Sequence, residues 1–264
     1  MNAALPREKS GEEEVLDPVA AYDRLASHYS QFSDRRAAYL SSVGGHILSR
    51  IPKNAASLLD IGAGDGSRAH RIAAASGISE VVLIEPSSHM AGTAHPASGA
   101  WPIRIEDLRA EEIPKRFDVI TCLWNVLGHV QGSAKRIRAL QNAARLLSPG
   151  GLLFVDVIHR YNVRSYGAIA TGARWVRDHI APAETNGDVV ARWKTDAGTI
   201  STYGHVFTDR EMRHLAQSAG LGSVERVVID YETGETRAFS CLGNLLYVFR
   251  RTSRSDSSKA LPTS

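Results

Sequence analysis

The chain has 264 residues, of which 43% are hydrophobic and 22% are charged, as in an ordinary globular domain. Its net charge of +3 is too small for the clustered basic surface of a nucleic-acid binder. The two cysteines, Cys122 and Cys241, lie far apart, so neither a disulfide framework nor a metal site is expected. We find no signal-like stretch and no apolar run of membrane-spanning length, and we therefore expect a cytoplasmic protein.

The pattern of polar and apolar residues predicts one domain over residues 17–250, between disordered tails at 1–16 and 251–264. In the segment 17–50, apolar residues recur at steps of three and four, which predicts one or two amphipathic helices. This helical segment precedes everything else in the domain.

Short β-rich runs alternate with helical stretches through the middle of the chain. The runs lie near 57–62, 81–85, 103–106, 117–124 and 151–158. Helical spacing recurs at 67–75 and 134–147, and such alternation predicts an α/β fold with a parallel sheet. The final strands are expected at SVERVVIDY and NLLYVFRR.

Residues 160–205 break this rhythm, because glycines punctuate segments that are typical of short antiparallel strands. We predict a β-rich, lid-like insertion after the fifth strand. Long excursions at the binding edge of a sheet usually serve function, so a lid over a small ligand is expected. After the insertion, Thr208 and Glu211 form a capping box that opens a helix.

The strongest local signal is LLDIGAGDGSRAHRIA, a buried strand followed by a glycine-rich turn and a helix. Glycines at 62, 64 and 66 let backbone amides approach a ligand closely. Ser67 stands where the dinucleotide pattern G-x-G-x-x-G requires its last glycine, which disfavours a nicotinamide cofactor. A phosphate loop of the G-x-x-x-x-G-K-S/T type is also absent from the sequence.

Nineteen residues beyond Gly66, Glu85 ends the run VVLIE. An acid at this place can accept hydrogen bonds from both hydroxyls of a ribose, which indicates a nucleoside ligand. The alternative is that Glu85 merely caps the following segment PSSHM while the glycines turn the chain.

Together, DIGAGDG, the acid after the second run and the stretch SPGGLLFVDV resemble class I S-adenosylmethionine-dependent methyltransferases of the small-molecule type. The resemblance implies a Rossmann-like sheet of seven strands with the last one antiparallel. It also implies S-adenosylmethionine as cofactor, bound at the carboxyl ends of the first strands.

The resemblance further implies a role for individual residues. Asp60 and the glycine turn would hold the amino-acid end of the cofactor, Glu85 its ribose, and Asp107 with the Leu108 amide its adenine, with Glu106 as a rival. The implied cofactor-binding residues are Tyr22, Asp60, Gly62, Ala63, Gly64, Gly66, Glu85, Pro86, Asp107, Leu108 and Leu123.

The segment AAYDRLASHY resembles the Y-D-x-x-A-x-x-Y element of many small-molecule members. In that reading Tyr22 and Tyr29 close over cofactor or substrate, and in the alternative both are partly buried anchors of a helix. The residues implied or expected to contact the acceptor are Tyr29, Trp124, Asn125, His159, Arg160 and His205.

Methyl transfer from a sulfonium depends mainly on positioning, and a base is needed if the acceptor is a hydroxyl or a protonated amine. His129, His159 and His205 are candidate bases because each is predicted near the carboxyl edge of the sheet. His129 is the first choice, and a structural role is the alternative for each histidine.

Competing functions are a nucleic-acid or protein methyltransferase, a nicotinamide-dependent oxidoreductase and a non-catalytic binding protein. The place after the fourth strand reads LWNV instead of the D/N-P-P-Y/F of enzymes that methylate base amines, and no Tyr-x-x-x-Lys pair supports an oxidoreductase. We therefore predict methylation of the oxygen or nitrogen of a small molecule by a monomer or homodimer.

Overall fold

The computed structural model describes residues 14–92, 100–109 and 112–252, so most of the tails predicted at 1–16 and 251–264 lies outside the described residues. Within the described ranges the helices are α1 (Pro18–Leu25), α2 (Tyr29–Asp34), α3 (Ala37–Leu48), α4 (Ser67–Ser76), α5 (Ser88–Gly92), α6 (Ser133–Leu146), α7 (Val163–Tyr166), α8 (Ala168–Ile180) and α9 (Asp209–Ser218). None of these helices combines the length and the apolar composition that crossing a membrane requires.

The strands of the described residues form two sheets. They are β1 (Val15–Leu16), β2 (Ser57–Ile61), β3 (Glu80–Ile84), β4 (Ala100–Trp101), β5 (Phe117–Cys122), β6 (Leu147–Val157), β7 (Asp188–Thr195), β8 (Gly198–His205), β9 (Leu221–Ile229), β10 (Thr236–Arg237) and β11 (Asn244–Arg251).

The large sheet has the order β10-β9-β11-β6-β5-β2-β3-β4. Strands β4, β3, β2, β5 and β6 pair in parallel, and β11 runs antiparallel to both β6 and β9. This confirms the α/β class and the antiparallel last strand. The described sheet has one strand more than the expected seven, because the two-residue β10 folds back on β9.

Apolar side chains alternate between the two faces of this sheet, and helices cover both faces. Leu59, Ile120 and Leu153 are in register on the face that packs against α6 and α9. The adjacent row, formed by Leu58 and Val119 among others, faces α3 and α4. The sheet therefore carries buried side chains on both sides, as a parallel sheet requires.

The third strand lies earlier than the sequence predicts. The expected run 103–106 is not a strand; β4 comprises Ala100 and Trp101, and residues 105–107 form a 3-10 turn. Pro102, which has no N–H to donate to a neighbouring strand, follows β4 directly. The chain then turns back under the sheet edge.

The insertion 160–205 is only half β-rich, which corrects the prediction. Its first part forms α7 and α8, and only its second part forms the β7–β8 hairpin. The Asn162 side chain caps α7 by accepting from the Arg164 and Ser165 amides. The sequence predicts turns between strands at Gly167 and Gly172, but Gly167 separates α7 from α8 and Gly172 lies inside α8.

The hairpin forms a small sheet with β1, because Val15 and Leu16 pair in parallel with Ser201 and Thr202. Residues 15 and 16, predicted to belong to a disordered tail, are therefore ordered as a strand. Along β7 exposure alternates, so that every second side chain faces the body of the protein. The hairpin thereby covers the carboxyl edge of the large sheet.

Gly172 offers a direct test of the α8 assignment. It lies inside α8, and a Cβ built at this position meets nothing within 4 Å. Because glycine is a poor helix former, Gly172→Ala is expected to raise the free energy of unfolding by about 0.5–1 kcal/mol. Urea unfolding followed by circular dichroism measures this change.

The matched control is Gly167→Ala, in which the same methyl group enters a residue with φ of +78°. This left-handed conformation strains any side chain, so the control is expected to be destabilised. Destabilisation by Gly172→Ala as well would contradict the helical assignment of this part of the insertion.

Candidate active site

A cleft opens at the carboxyl ends of β2, β3 and β5, where the strand order of the large sheet reverses. Open α/β sheets bind ligands at such a switch point. The empty space of the cleft is about 740 Å³, part of which is open to solvent. Its lining includes the predicted residues Tyr22, Tyr29, Gly62, Gly64, Glu85, Pro86, Leu123, Trp124 and His129.

The glycine turn forms one wall of this cleft, but its three glycines differ in role. All three have positive φ, between +60° and +71°. Gly62 and Gly64 line the cleft. Gly66 does not; a Cβ there would lie 2.6 Å from the Leu83 side chain, so Gly66 is needed for packing of α4 on the sheet. Ala63 also lies outside the lining.

Glu85 ties the turn after β2 to the end of β3. One carboxylate oxygen accepts from the Gly64 amide and the other from the Ser87 amide, both at 2.8 Å. Glu85 is 7% exposed, and burial raises the pKa of its carboxyl group although both amides favour the charged form. Glu85 therefore caps the following segment and also faces the cleft. Each oxygen retains a lone pair for a ligand.

Asp60 stands behind the glycine turn and does not line the cleft. It accepts a hydrogen bond of 2.6 Å from the Thr121 hydroxyl and is 3% exposed. Burial raises the pKa of Asp60, while the nearby Arg68 guanidinium lowers it. The Asp60 side chain thus ties β2 to β5 behind the turn, and its contact with the amino-acid end of a cofactor stays a prediction.

At the other end of the cleft, Glu106 takes the place that the resemblance implied for Asp107. Glu106 is 6% exposed and lines the cleft, and burial raises its pKa. Asp107 is exposed and points elsewhere, and Leu108 is buried in the core beside Asn142, to which its carbonyl is hydrogen-bonded. These residues form a 3-10 turn and not the end of a strand, and within that turn Glu106 is buried whereas Asp107 is exposed.

The β5 end carries two consecutive residues with positive φ, Trp124 at 62° and Asn125 at 61°. Each such conformation costs about 1–3 kcal/mol and persists only where surrounding contacts hold the backbone. Asp156 does so by accepting from both backbone amides, while also accepting from the Tyr39 hydroxyl at 2.9 Å. Asp156 was missed as a candidate residue; the signal was a lone acid inside the apolar run LLFVDV.

Asn125, a predicted acceptor contact, connects three segments and lines a second cavity under the β7–β8 hairpin, not the cleft itself. Its amide group donates to the His205 carbonyl at 3.2 Å and accepts from the Ile158 amide at 3.1 Å. Leu123 and Trp124 line the cleft as expected.

A second cavity of about 780 Å³ lies under the β7–β8 hairpin and adjoins the cleft. The two spaces share Tyr22, Tyr29, Trp124 and His129. Aromatic rings dominate its walls, and no described Asp or Glu lines it, whereas Arg192 does. The aromatic residues of this wall are Tyr22, Tyr29, Phe32, Trp124, Trp193 and Tyr231.

His129 is fixed at the boundary of these two spaces by both of its ring nitrogens. Nδ1 lies 2.9 Å from the Tyr203 carbonyl oxygen, which can only accept, so Nδ1 carries the proton. Nε2 is therefore the acceptor, and the Tyr22 hydroxyl donates to it at 3.1 Å. Burial lowers the pKa of His129, so the ring is neutral at physiological pH.

Three predicted acceptor contacts, His159, Arg160 and His205, lie outside both spaces. His205 is fully buried between the carboxylates of Asp188 and Glu211, at 2.7 Å from each. Arg160 pairs with Glu211 at 2.7 Å and with Asp178 at 3.0 Å. These side chains anchor the insertion, which corrects the expectation that they face the acceptor.

His159 lies on the far side of this ion-pair network, where it is 3% exposed and lines a separate depression with Thr171 and Cys241. Burial lowers the pKa of His159 to about 4. His159 therefore lies beneath α8 and outside the cleft, a position that favours a structural role.

A family profile described as a methyltransferase domain matches residues 29–225. The chain belongs to this methyltransferase family. It is an S-adenosylmethionine-dependent enzyme, which confirms the resemblance seen in the sequence.

Among similar proteins is a ubiquinone biosynthesis O-methyltransferase of Xylella fastidiosa, strain 9a5c. It is 29% identical over 213 residues, which cover 68% of this chain and 82% of that protein. Two solved structures share the fold. The CcbJ methyltransferase of Streptomyces caelestis has a TM-score of 0.65 at 18% identity, covering 88% of this chain and 98% of that one.

The second structure is CalS10 of Micromonospora echinaspora, an amino pentose methyltransferase of calicheamicin biosynthesis with S-adenosylmethionine bound. Its TM-score is 0.56 at 19% identity, covering 85% of this chain and 96% of that one.

The cleft of this methyltransferase fits the cofactor by its shape and its polar groups. A side chain at Gly62 would collide with Val126 at 2.5 Å and one at Gly64 would approach Met90 at 3.1 Å, so the turn leaves no room for side chains. The carboxylates of Glu85 and Glu106 stand at two places along a mainly apolar lining, which also includes Arg104 and His129.

The buried His159 predicts a pH dependence of stability. The unfolded chain binds a proton on this ring near pH 6.5, whereas the folded chain does so only near pH 4. Folding is therefore opposed as pH falls from 6.5 toward 4, and unaffected by this group above 6.5. At about pH 5 the loss from His159 is about 2 kcal/mol.

The variant His159→Gln removes this titration while keeping a polar side chain. The difference in free energy of unfolding between about pH 7.5 and pH 5, measured with urea, is expected to shrink by about 2 kcal/mol relative to the wild type. An unchanged difference would show that His159 titrates alike in both states.

Proposed function

We propose that this methyltransferase transfers a methyl group to an oxygen or nitrogen of a small molecule held in the aromatic cavity under the β7–β8 hairpin. The observation that carries the proposal is the shared wall of cleft and cavity, formed by Tyr22, Tyr29, Trp124 and His129. A cofactor in the cleft and an acceptor in the cavity meet at that wall.

The names of the related proteins support a small acceptor. The Xylella protein is named for an O-methylation in ubiquinone biosynthesis, and CalS10 is named for an amino pentose. The cavity is bounded by the hairpin on one side and by aromatic side chains on the others, as a site for a small acceptor requires. A hairpin that roofs the cavity favours a free metabolite over a nucleic acid or a protein surface.

In this proposal the cofactor lies along the cleft with its ribose at Glu85 and its adenine near Glu106. Gly62 and Gly64 line the cleft beside its amino-acid end, where the absence of side chains leaves room for it, and Pro86 and Met90 pack against its apolar surface. When bound, S-adenosylmethionine supplies a methyl group on a positively charged sulfur, whose carbon–sulfur bond breaks as the methyl group passes in line to the acceptor.

The protein contributes positioning, exclusion of water and a base. Holding two reacting atoms at about 3–3.5 Å in line is worth about 7–11 kcal/mol, and the aromatic walls restrict the acceptor to such an approach. Trp124, held by Asp156 in its left-handed conformation, contributes to both the cleft and the cavity. His129, neutral and partly buried at the boundary, is the proposed base.

Turnover measurements test the proposal as a whole. The protein is incubated with radiolabelled S-adenosylmethionine and a panel of phenols, amines and amino sugars, and calorimetry follows binding of S-adenosylmethionine, S-adenosylhomocysteine and NAD. Methylation of at least one small acceptor is expected. Binding of NAD alone would refute the assignment, and cofactor binding without turnover of any acceptor would indicate a non-catalytic protein.

Glu85→Ala is expected to weaken the binding of S-adenosylhomocysteine by about 1–3 kcal/mol, because charge-assisted hydrogen bonds to the ribose are lost. Isothermal titration calorimetry measures the affinity. The control is Glu80→Ala at the opposite end of β3, an exposed acid that pairs with Lys115. Equal affinities of both variants and the wild type would remove Glu85 from the cofactor site.

His129→Ala is expected to lower kcat by about 10²–10⁴-fold, with little change in cofactor affinity, because the variant lacks the base. In the wild type, kcat/KM is expected to rise with pH through a pKa below 6.5 and to level off above it, since only the neutral ring accepts a proton.

The matched control is His214→Gln on the exposed side of α9, which is expected to leave kcat and the pH profile unchanged. A pH profile without an inflection in the acidic range, together with an active His129→Ala variant, would rule out His129 as the base.

A further inference from the structure

The glycine turn has few free amides to offer the amino-acid end of a cofactor. The amides of Gly62 and Ala63 both donate to the Ile84 carbonyl, and that of Gly64 donates to Glu85. A carboxylate at this end of the cleft would therefore meet amides whose hydrogens are already engaged. A side chain is the better source of a donor.

The amides that follow in the chain are engaged as well. Gly66 donates to the Ala63 carbonyl, and the Ser67 amide donates to the Asp65 carboxylate at 3.1 Å. The same carboxylate accepts from the Ser67 hydroxyl at 2.9 Å. The first amide of α4 is thus already bound by a carboxylate of the protein itself.

Beside the turn, one buried donor has no acceptor among the described residues. It is Nη1 of Arg68, the second residue of α4, which is sealed from solvent. An unpaired buried donor is costly, and most so when it carries a charge. Proteins retain such groups chiefly where a ligand, an ion or a water completes the hydrogen bond.

The place of Arg68 within its helix is also unfavourable. Partial positive charge collects at the N-terminus of a helix, so acids stabilise the first turn and cations destabilise it. The first turn of α4 contains Arg68 and no acid. Helix stability therefore does not account for an arginine here, whereas a bound anion would.

Arg68 lies close to the part of the cleft wall that Tyr29 forms. Tyr29 lines the cleft, and its ring would lie 3.6 Å from a Cβ at Gly64. Burial raises the pKa of the Tyr29 hydroxyl, and among nearby charges the Arg68 guanidinium does most to lower it. The guanidinium therefore stands near the corner of the cleft that Gly64 and Tyr29 line.

The buried acid Asp156 does not take up the free hydrogens of this guanidinium. Asp156 already accepts from the Tyr39 hydroxyl and from the amides of Trp124 and Asn125. It contributes to the negative potential around Arg68 but makes no hydrogen bond with Nη1.

Asp60 gives the same corner the opposite charge. Burial raises the pKa of Asp60 and Arg68 lowers it, so the two charged groups lie near each other. The amino-acid end of S-adenosylmethionine carries one ammonium group and one carboxylate. An acid and a guanidinium behind one end of the cleft complement these two charges.

We propose that the Arg68 guanidinium binds the carboxylate at the amino-acid end of the cofactor. The proposal rests on the cofactor position given under the proposed function and is independent of the acceptor. It assigns to a side chain of α4 the task that the family resemblance implies for the amides of the turn.

A guanidinium suits this task because it can present two parallel N–H groups to one carboxylate. Arg68 is not itself part of the cleft lining. Its long side chain therefore reorients past the Tyr29 ring when it binds the carboxylate.

The test compares two ligands that differ only in the carboxylate. S-adenosylhomocysteine and 5′-deoxy-5′-(3-aminopropylthio)adenosine share the adenosine, the sulfur and the amine, but the second lacks the carboxylate. Isothermal titration calorimetry is expected to show that the wild type binds S-adenosylhomocysteine about 10–100-fold more tightly, as for hydrogen bonds between charged groups.

Arg68→Met removes the guanidinium while keeping an unbranched side chain. It is expected to weaken binding of S-adenosylhomocysteine by about 10–100-fold and that of the analogue by less than about threefold, so that the preference disappears. Arg68→Lys, which keeps the charge but not the planar fork, is expected to retain an intermediate preference. The control Arg71→Met, on the exposed side of α4, is expected to leave both affinities unchanged.

Four results would contradict the proposal in different ways. Equal losses for both ligands in Arg68→Met would show that Arg68 only balances the buried acids. A preference that survives in this variant would place the carboxylate elsewhere. Equal affinities of the wild type for both ligands would overturn the proposal even where the variant does not fold. Failure of the wild type to bind either ligand would instead refute the cofactor position, and with it the proposed function.

Discussion

The hydrogen bond between His129 Nδ1 and the Tyr203 carbonyl organises the whole site. It joins the loop after β5 to the strand β8, and it places the imidazole proton on Nδ1. The lone pair on Nε2 then faces Tyr22, whose hydroxyl completes the chain. A single backbone acceptor thus fixes a tautomer, the orientation of a ring and the boundary between the cleft and the cavity.

This arrangement depends on a hairpin that is itself anchored by buried charges. Arg136, fully buried, donates to the Val130 carbonyl and to the Tyr203 hydroxyl. His205 bridges Asp188 and Glu211, so the hairpin is bound to α9 as well. Removing one member of such a network leaves an uncompensated charge, which is why these residues belong to the framework although their types suggest chemistry.

A buried carboxylate also holds strained backbone at the end of β5. Two left-handed residues, Trp124 and Asn125, are held by the one carboxylate of Asp156. The indole of Trp124 is thereby placed between the cleft and the cavity. The family resemblance predicts a ligand site at the end of β5. The residue that holds the backbone there, Asp156, lies in the neighbouring strand β6.

The sequence by itself determined the parallel sheet, the glycine turn and Glu85, because strand periodicity, backbone freedom and an acid at a strand end are local properties. It did not determine which histidines face the site, since the sequence predicts His129, His159 and His205 all near the carboxyl edge of the sheet. Only the tertiary structure decided that, by pairing His205 with buried acids and turning His159 beneath α8. The exchange of Asp107 for Glu106 was likewise decided by the tertiary structure, because a 3-10 turn at 105–107 buries Glu106 and leaves Asp107 exposed.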